Sequence, residues 1–276
     1  MGKKKDSTRP RFSKSLVGAI VMVVVVLAAV FLLYSGRTEG TPPQPIVPLE
    51  ENKTALIYDS LYREYPNETL INELVSLLES NGYQVYVYQG INATLDPLVS
   101  LNKFDFIVIR AHGAYNDDPE RPLGSYIYTG LRYEEAKALY NGYIDENLKN
   151  GLLALAVIPP PGVELNETIL ETLPKYIAVS PEYLEQHLGN FKNDTIVIAA
   201  GCYTSNDSIL ADVFLDKGAK AFIGWKGEIT QNYMDQVTLE VVKLLLEGHE
   251  PGDLPVLLGD LVQDPLVNGT LVVKTR

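Results

Sequence analysis

Residues 104–113 read FDFIVIRAHG, and residues 195–202 read TIVIAAGC. Each stretch contains a short apolar run of the kind that forms a strand buried on both faces of a parallel sheet. The first stretch ends in His112 and a glycine, and the second ends in a glycine and Cys202. Since functional groups gather beyond the carboxyl ends of parallel strands, we expect both side chains at one edge of the sheet.

The segments around these two runs alternate between strand and helix patterns. This alternation predicts an α/β domain built as a three-layer α/β/α sandwich around a mostly parallel sheet, with 106–110 and 195–200 as adjacent parallel strands. The region 114–190 is less regular, and we interpret it as an excursion within the same domain. Further predicted strands are 53–58, 84–88, 152–158, 175–180 and 219–225, and the main predicted helices are one that ends before Asn81, 208–217 and 230–247.

The cysteine, which is the only one in the 276 residues, allows two interpretations. A free cysteine is often a small core residue. At the end of a strand, however, a thiol can attack a carbonyl while His112 takes its proton. A helix starting near 208 would lower the pKa of the thiol, and the backbone N–H groups of Gly113 and Cys202 could bind the oxyanion.

The two motifs and their surroundings resemble the caspase-like cysteine peptidases, which include caspases, gingipains, clostripain, legumain and separase. The resemblance covers roughly 53–247 and includes FDFIVIRAHGAY and IVIAAGCYTSNDSILADVFLDKGAKAFIGW. It implies His112 as base, Cys202 as nucleophile, and the Gly113 and Cys202 amides as oxyanion hole. Tyr203 departs from the pattern because it is bulky and could crowd the thiol. The chain also lacks the QAC-x-G pentapeptide, so aspartate specificity is not supported.

The N-terminal region predicts a membrane anchor. Residues 16–34 are 19 uncharged and nearly all apolar residues, close to the ~20 that a spanning helix needs. Six basic residues and one acidic residue precede them within the first 14. The positive-inside rule therefore keeps residues 1–15 in the cytoplasm and the rest outside the cell membrane. A buried core helix is the poorer alternative, since the segment has no polar face.

The remainder of the chain has the features of a glycosylated outer-surface domain. A linker rich in proline, 35–51, separates the anchor from the domain at 52–276. Seven N-x-[ST] sequons all follow the anchor, whereas chance would give about one or two. The alternative is that asparagine and threonine are merely common in surface turns. The predicted N-linked glycan sites are Asn52, Asn67, Asn92, Asn166, Asn193, Asn206 and Asn268.

Weaker candidates complete the predicted site. Trp225 and Glu228 follow the strand after Cys202, where they could contact substrate, and Glu228 could select a basic side chain. The acidic run 116–120 could bind Ca²⁺, but a solvated loop is the better interpretation. We expect no metal and no cofactor, because neither His187 nor His249 has partners at zinc-ligand spacing. A net charge of −12 argues against nucleic acid as a partner.

Three functions remain open from the sequence. The first is a membrane-anchored, extracytoplasmic cysteine peptidase that acts on peptides or proteins. The second is a catalytically inactive caspase-like ectodomain that serves as a binding or structural surface protein. The third is another α/β hydrolase or transferase that uses the same pair of residues.

Overall fold

The computed structural model of the protein describes residues 40–46, 53–159, 166–192 and 194–276. Several predictions concern residues outside those ranges: the basic N-terminus, the anchor at 16–34, the linker except for 40–46, and the sequons at Asn52 and Asn193. Within the described ranges, no helix is both long enough and apolar enough to cross a bilayer.

The described residues form a mixed α/β domain. Its strands are β1 Lys53–Asp59, β2 Tyr83–Gln89, β3 Phe106–Arg110, β4 Gly113–Asn116, β5 Gly124–Arg132, β6 Leu153–Val157, β7 Lys175–Val179, β8 Ile196–Ala200, β9 Ala221–Lys226 and β10 Thr270–Thr275. Its α-helices are α1 Glu68–Ser80, α2 Leu95–Leu98, α3 Tyr133–Tyr140, α4 Gly142–Lys149, α5 Glu167–Thr172, α6 Pro181–His187, α7 Ile209–Asp216, α8 Gln231–Leu246 and α9 Leu254–Leu258.

A six-stranded sheet forms the centre of the domain, with the strand order β10-β9-β8-β3-β1-β2. Every neighbouring pair is parallel except β9 and β10. The prediction that 106–110 and 195–200 are adjacent parallel strands is confirmed, because β3 pairs with β8 and Arg110 lies opposite Ala200. Strand β10 comes from the C-terminal tail, which the sequence pattern left unassigned.

Both faces of the central sheet are covered, and the apolar runs of β1, β3 and β8 at its centre are buried on both sides. On one face, Ile57 and Val108 pack into a core with α1 and α8. On the other face, Leu56 and Ile107 pack into a core with α7 and with inward residues of a second sheet. Full burial of each such aliphatic side chain contributes ~1.5–3 kcal/mol, so this central strand set is the most stable part of the fold.

The second sheet is the main difference from the sequence-based fold. The region predicted as an excursion supplies β4 to β7, which form an antiparallel sheet in the order β4-β5-β7-β6. Strand β3 ends at Arg110 and strand β4 begins at Gly113, so Ala111 and His112 are the two residues that connect them. His112 therefore lies at the junction of the two sheets.

The described part of the predicted linker, 40–46, contacts the domain. The backbone N–H of Gln44 donates to the Asp96 carboxylate at 2.7 Å, and that of Ile46 donates to the Ser100 hydroxyl at 2.7 Å. Pro43 is buried. These residues belong to the same compact unit as the rest of the described domain.

Beyond their last paired residues, β3 and β8 remain in close backbone contact. The Ala111 N–H donates to the Ala200 carbonyl at 3.0 Å, which continues the pairing by one residue. A Cβ atom on Gly201 would lie 2.4 Å from the Ala111 carbonyl oxygen. Real Cβ atoms do not approach backbone so closely, and only glycine allows the two strand ends to lie this near each other.

We predict that Gly201→Ala lowers the free energy of unfolding by about 1–3 kcal/mol, because the added methyl forces the two strand ends apart. The matched control is Gly252→Ala, where an added Cβ meets no atom within 4 Å. Its effect should stay within about 0.5 kcal/mol. Urea unfolding of both variants measures this, and equal midpoints for the two would contradict the close approach.

Candidate active site

His112 lies between two tyrosine rings at the junction of the sheets. Its ring centroid is 5.9 Å from that of Tyr65 and 5.9 Å from that of Tyr128. Its Nε2 atom is buried and has no hydrogen-bond partner among the described residues. Burial, with a contribution from the positive charge of Arg110, lowers the pKa of His112 to about 4. The imidazole is therefore neutral at pH 7 and able to accept a proton.

The Cys202 thiol is half-buried and lies against the backbone of Ile229. The Ile229 N–H donates to Sγ at 3.5 Å, and the thiol donates to the Ile229 carbonyl at 3.6 Å. Burial raises the pKa of the Cys202 thiol; the Ile229 hydrogen bond opposes this, and the charge of Glu228 adds to it. Helix α7 begins at Ile209, close to the predicted start, but the net pKa of the thiol is raised because burial is the largest effect.

The pairing register brings His112 and Cys202 level with each other. Arg110 is opposite Ala200, so two further residues along each chain reach the histidine and the cysteine. A Cβ on Gly113 would lie 2.1 Å from the Cys202 carbonyl oxygen, so these two backbone segments are in contact. The expectation that both strand ends meet at one edge of the sheet is therefore met by the backbone.

The two amides assigned to the oxyanion hole are both outside the main hydrogen-bond ladders. Tyr128 N–H donates to the His112 carbonyl at 3.0 Å, and Gly113 is the next residue, paired with Ile127. Bonded and non-bonded pairs alternate in antiparallel strands, so the Gly113 N–H points away from β5. The Cys202 N–H faces its own sulfur, where it lowers the pKa of the thiol slightly against the effect of burial.

Tyr203, the bulky residue after the cysteine, is held in a strained turn. Its backbone adopts a φ of 60°, a left-handed conformation that costs a non-glycine residue ~1–3 kcal/mol. The residue is held by four hydrogen bonds. Its N–H donates to the Gly227 carbonyl at 2.8 Å, and its phenol donates to Glu228 at 3.0 Å. Its carbonyl accepts from the Ser125 hydroxyl and from the Asn206 N–H at 3.1 Å. The ring is thereby fixed beside the exposed Glu228 carboxylate.

Thr204 fixes the turn that carries the cysteine, a role the sequence did not suggest. Its hydroxyl is 2.8 Å from the Ala199 carbonyl and 3.0 Å from the Gly201 carbonyl, and it accepts from the Trp225 N–H at 2.9 Å. The Ser205 N–H donates to the Trp225 carbonyl at 2.8 Å. These bonds tie the turn after β8 to the end of β9.

The sequence also did not reveal a buried ion network around Arg110, two residues before His112. The Arg110 guanidinium is 2% exposed and makes two hydrogen bonds to Asp235, at 2.7 and 2.9 Å. It also donates to Asp59 at 2.8 Å and to the Tyr65 carbonyl at 3.0 Å. Because Tyr65 packs against the His112 ring, the network holds one wall of the histidine site in place.

The weaker candidate residues differ in how exposed their side chains are. The Trp225 side chain is 1% exposed and packs in the core beside Tyr233, so it is not available to line a substrate pocket. Glu228 is exposed and close enough to affect the pKa of Cys202. His187 bonds to the Tyr143 hydroxyl at 2.9 Å. Among the described residues, no group of three His, Cys, Asp or Glu side chains could hold a metal ion.

The described sequons differ in how available their side-chain nitrogen is. Asn92, Asn166 and Asn268 are exposed, and Asn206 is half-buried. Asn67 caps α1 by accepting from the Leu70 N–H at 3.2 Å. Its Nδ2, the atom that would carry a glycan, donates to the buried Asp235 carboxylate at 2.8 Å.

Comparison with known proteins gives no further assignment, because no family model matches the sequence and no curated protein is significantly similar to it.

We predict that Arg110→Ala lowers the free energy of unfolding by about 3–5 kcal/mol, because it leaves the Asp59 and Asp235 carboxylates buried without their cation. Arg63→Ala is the matched control. It removes an arginine that pairs with Glu135 at 2.7 Å at a partly exposed site, and it should cost about 1 kcal/mol or less. Chemical denaturation measures both. Equal losses for the two arginines would contradict the importance of the buried network.

Proposed function

We propose that this protein is a membrane-anchored cysteine peptidase with an extracytoplasmic caspase-like domain, and that Cys202 and His112 are its catalytic dyad. The observation that supports the proposal is the parallel pairing of β3 with β8, whose last pair, Arg110 and Ala200, lies two residues before His112 and two residues before Cys202. The central parallel sheet, with helices on both faces, also supports the three-layer caspase-like arrangement.

In the proposed reaction, both groups start uncharged at neutral pH. The thiol has a raised pKa and the imidazole has a pKa of about 4, so proton transfer must accompany the attack rather than precede it. A nitrogen of His112 takes the thiol proton while Sγ bonds to the substrate carbonyl carbon. The protonated imidazole then gives this proton to the leaving amine as the C–N bond breaks. Water hydrolyses the resulting thioester and regenerates the thiol.

The charge that develops on the carbonyl oxygen needs donors near Cys202. The Gly113 amide is not used by the β4–β5 ladder, and the Cys202 amide faces the sulfur. Loss of one such donor typically costs 10²–10³-fold in kcat in enzymes of this kind. The two amides supply the proposed oxyanion hole without any side chain.

An inactive caspase-like surface protein is the alternative function, and one observation favours it. The Cys202 thiol donates a hydrogen bond to Ile229 and has a raised pKa, which together describe a resting thiol rather than an activated one. A scaffold that binds without cutting would need neither proton transfer nor an accessible sulfur.

We predict that the full-length protein in detergent is labelled at Cys202 by an electrophilic peptide probe. Cys202→Ala should abolish the label, and His112→Gln should slow labelling by at least about 100-fold, since a general base contributes that much. His249→Gln is the control, because this histidine is exposed and pairs only with Glu247. Intact-mass analysis over time measures the rates. Equal labelling of wild type and His112→Gln would support the inactive scaffold instead.

The anchor and the sequons support an outward-facing domain that carries N-linked glycans, and this localisation is part of the proposal. The basic residues before 16–34 and the absence of sequons before the anchor point to the same orientation. The exposed sequons then provide the attachment sites.

We predict that protease treatment of intact cells removes the domain, and that glycopeptide mass spectrometry finds glycan on Asn166 but not on Asn67. The reason is that Asn166 is exposed, whereas Asn67 Nδ2 is engaged by the buried Asp235. Asn166→Gln is the control and should remove a single glycan. A protected domain would overturn the orientation, and a glycan on Asn67 would contradict the structural use of its amide.

A further inference from the structure

The second sheet carries a cavity on its outer face, next to the proposed dyad. The cavity measures about 190 Å³, and its floor consists of small alanines beside tyrosine rings. Its lining includes Ala114, Asn116, Arg121, Tyr128, Ala154 and Ala156. Successive side chains along β4, β5, β6 and β7 point to opposite faces of the second sheet. Those on one face line the cavity, and those on the other face fill the core between the two sheets.

Two connections place the cavity beside His112. Tyr128 forms part of its wall, and the centroid of this ring is 5.9 Å from that of the histidine. Ala114 also forms part of the wall and is the next residue after Gly113, whose amide belongs to the proposed oxyanion hole. A peptide with its scissile carbonyl at Cys202 would therefore have a neighbouring side chain within reach of the cavity.

We propose that this cavity binds an apolar, aromatic side chain of the peptide substrate next to the bond that is cut. The inference rests on the proposed peptidase function and specifies its substrate. An enclosed apolar cavity of about 150 Å³ holds benzene, so a volume of about 190 Å³ is sufficient for one aromatic ring, with Asn116 and Arg121 as polar neighbours. Methyl groups and tyrosine faces provide apolar and ring-to-ring contacts, each of which favours an aromatic guest.

The charges around the cavity disfavour ionised side chains. Arg121 is the only charged residue in the lining; its side chain is 72% exposed and lies 4.0 Å from Asp118. It would repel a basic side chain, and an exposed guanidinium offers an acidic one only a weak pair. Glu228, the earlier candidate for selecting a basic side chain, does not line this cavity and already accepts from Tyr203.

A larger, more polar depression continues from the cavity. It measures about 580 Å³ and shares Arg121, Tyr126, Ala154 and Leu155 with the first cavity. Its other lining residues include Glu120 and Lys149. In the proposed complex, the residues that flank the aromatic side chain would extend along the second sheet and meet charges of both signs.

The test uses peptide–coumarin substrates that differ only in the residue before the scissile bond: Phe, Leu, Ala, Arg or Asp. The full-length protein in detergent should show the highest kcat/KM for Phe. Ala156→Phe fills the cavity with a ring and should lower the ratio of kcat/KM for Phe over Ala by at least about 10-fold. Ala138→Phe is the control, since Ala138 is exposed on α3 and does not line the cavity. An unchanged ratio in Ala156→Phe, or a preference for Arg or Asp, would overturn the proposal.

A binding measurement separates this inference from the peptidase function. In the Cys202→Ala background, N-acetyl-phenylalaninamide should perturb NMR signals of Ala154 and Ala178, and Ala156→Phe should abolish the perturbation. Ala154→Leu serves as a second filling variant if Ala156→Phe does not fold. Binding without any hydrolysis would support the cavity while rejecting the peptidase. Hydrolysis without binding, with no change of ratio in either filling variant, would reject the cavity while keeping the peptidase.

Discussion

The close backbone approach between the ends of β3 and β8 is the constraint on which the candidate site depends. Without a Cβ on Gly201 and Gly113, the chain after each strand can touch the other at the Ala111 and Cys202 carbonyls. The chain passes from β3 into β4 at the same junction, so the junction also fixes the position of the second sheet beside the thiol. A displacement there would move the histidine, the cysteine and both amides at once.

The surroundings of this junction keep both reacting groups uncharged. Arg110 lies two residues before His112 and is fully compensated by Asp59 and Asp235, yet its charge still lowers the pKa of the histidine. Burial raises the pKa of the Cys202 thiol, and the hydrogen bond from Ile229 only partly opposes this. The network therefore has a positioning role, because it anchors Tyr65 and α8 around the imidazole. For the uncharged thiol and imidazole to react, a bound substrate would have to displace water and align its carbonyl group with them.

The sequence predicted the central sheet well, because its strands are continuous apolar runs whose residues face a core on both sides. It also located His112 and Cys202 at neighbouring strand ends. It did not reveal the second sheet as a separate unit, since β4 has only four residues and β5 is buried on both faces, which removes the alternation of apolar and polar residues. The Arg110 network could not be read from the sequence either, because its partners lie 51 and 125 residues away. For Trp225 the sequence left a pocket residue and an ordinary strand-end aromatic equally open, because a strand-end position does not say which way the side chain points; the side chain is 1% exposed.

The central claim is that the Cys202 sulfur, the His112 imidazole and the Gly113 amide act on one carbonyl group. The most direct test is a crystal structure of the protein after reaction with a peptide aldehyde that carries phenylalanine at the reactive end. The account predicts a covalent bond to Sγ, a His112 nitrogen within hydrogen-bond reach of the adduct, and the adduct oxygen about 3 Å from the Gly113 and Cys202 amides. An unmodified Cys202 that still donates to the Ile229 carbonyl, with the aldehyde absent or bound elsewhere, would contradict it.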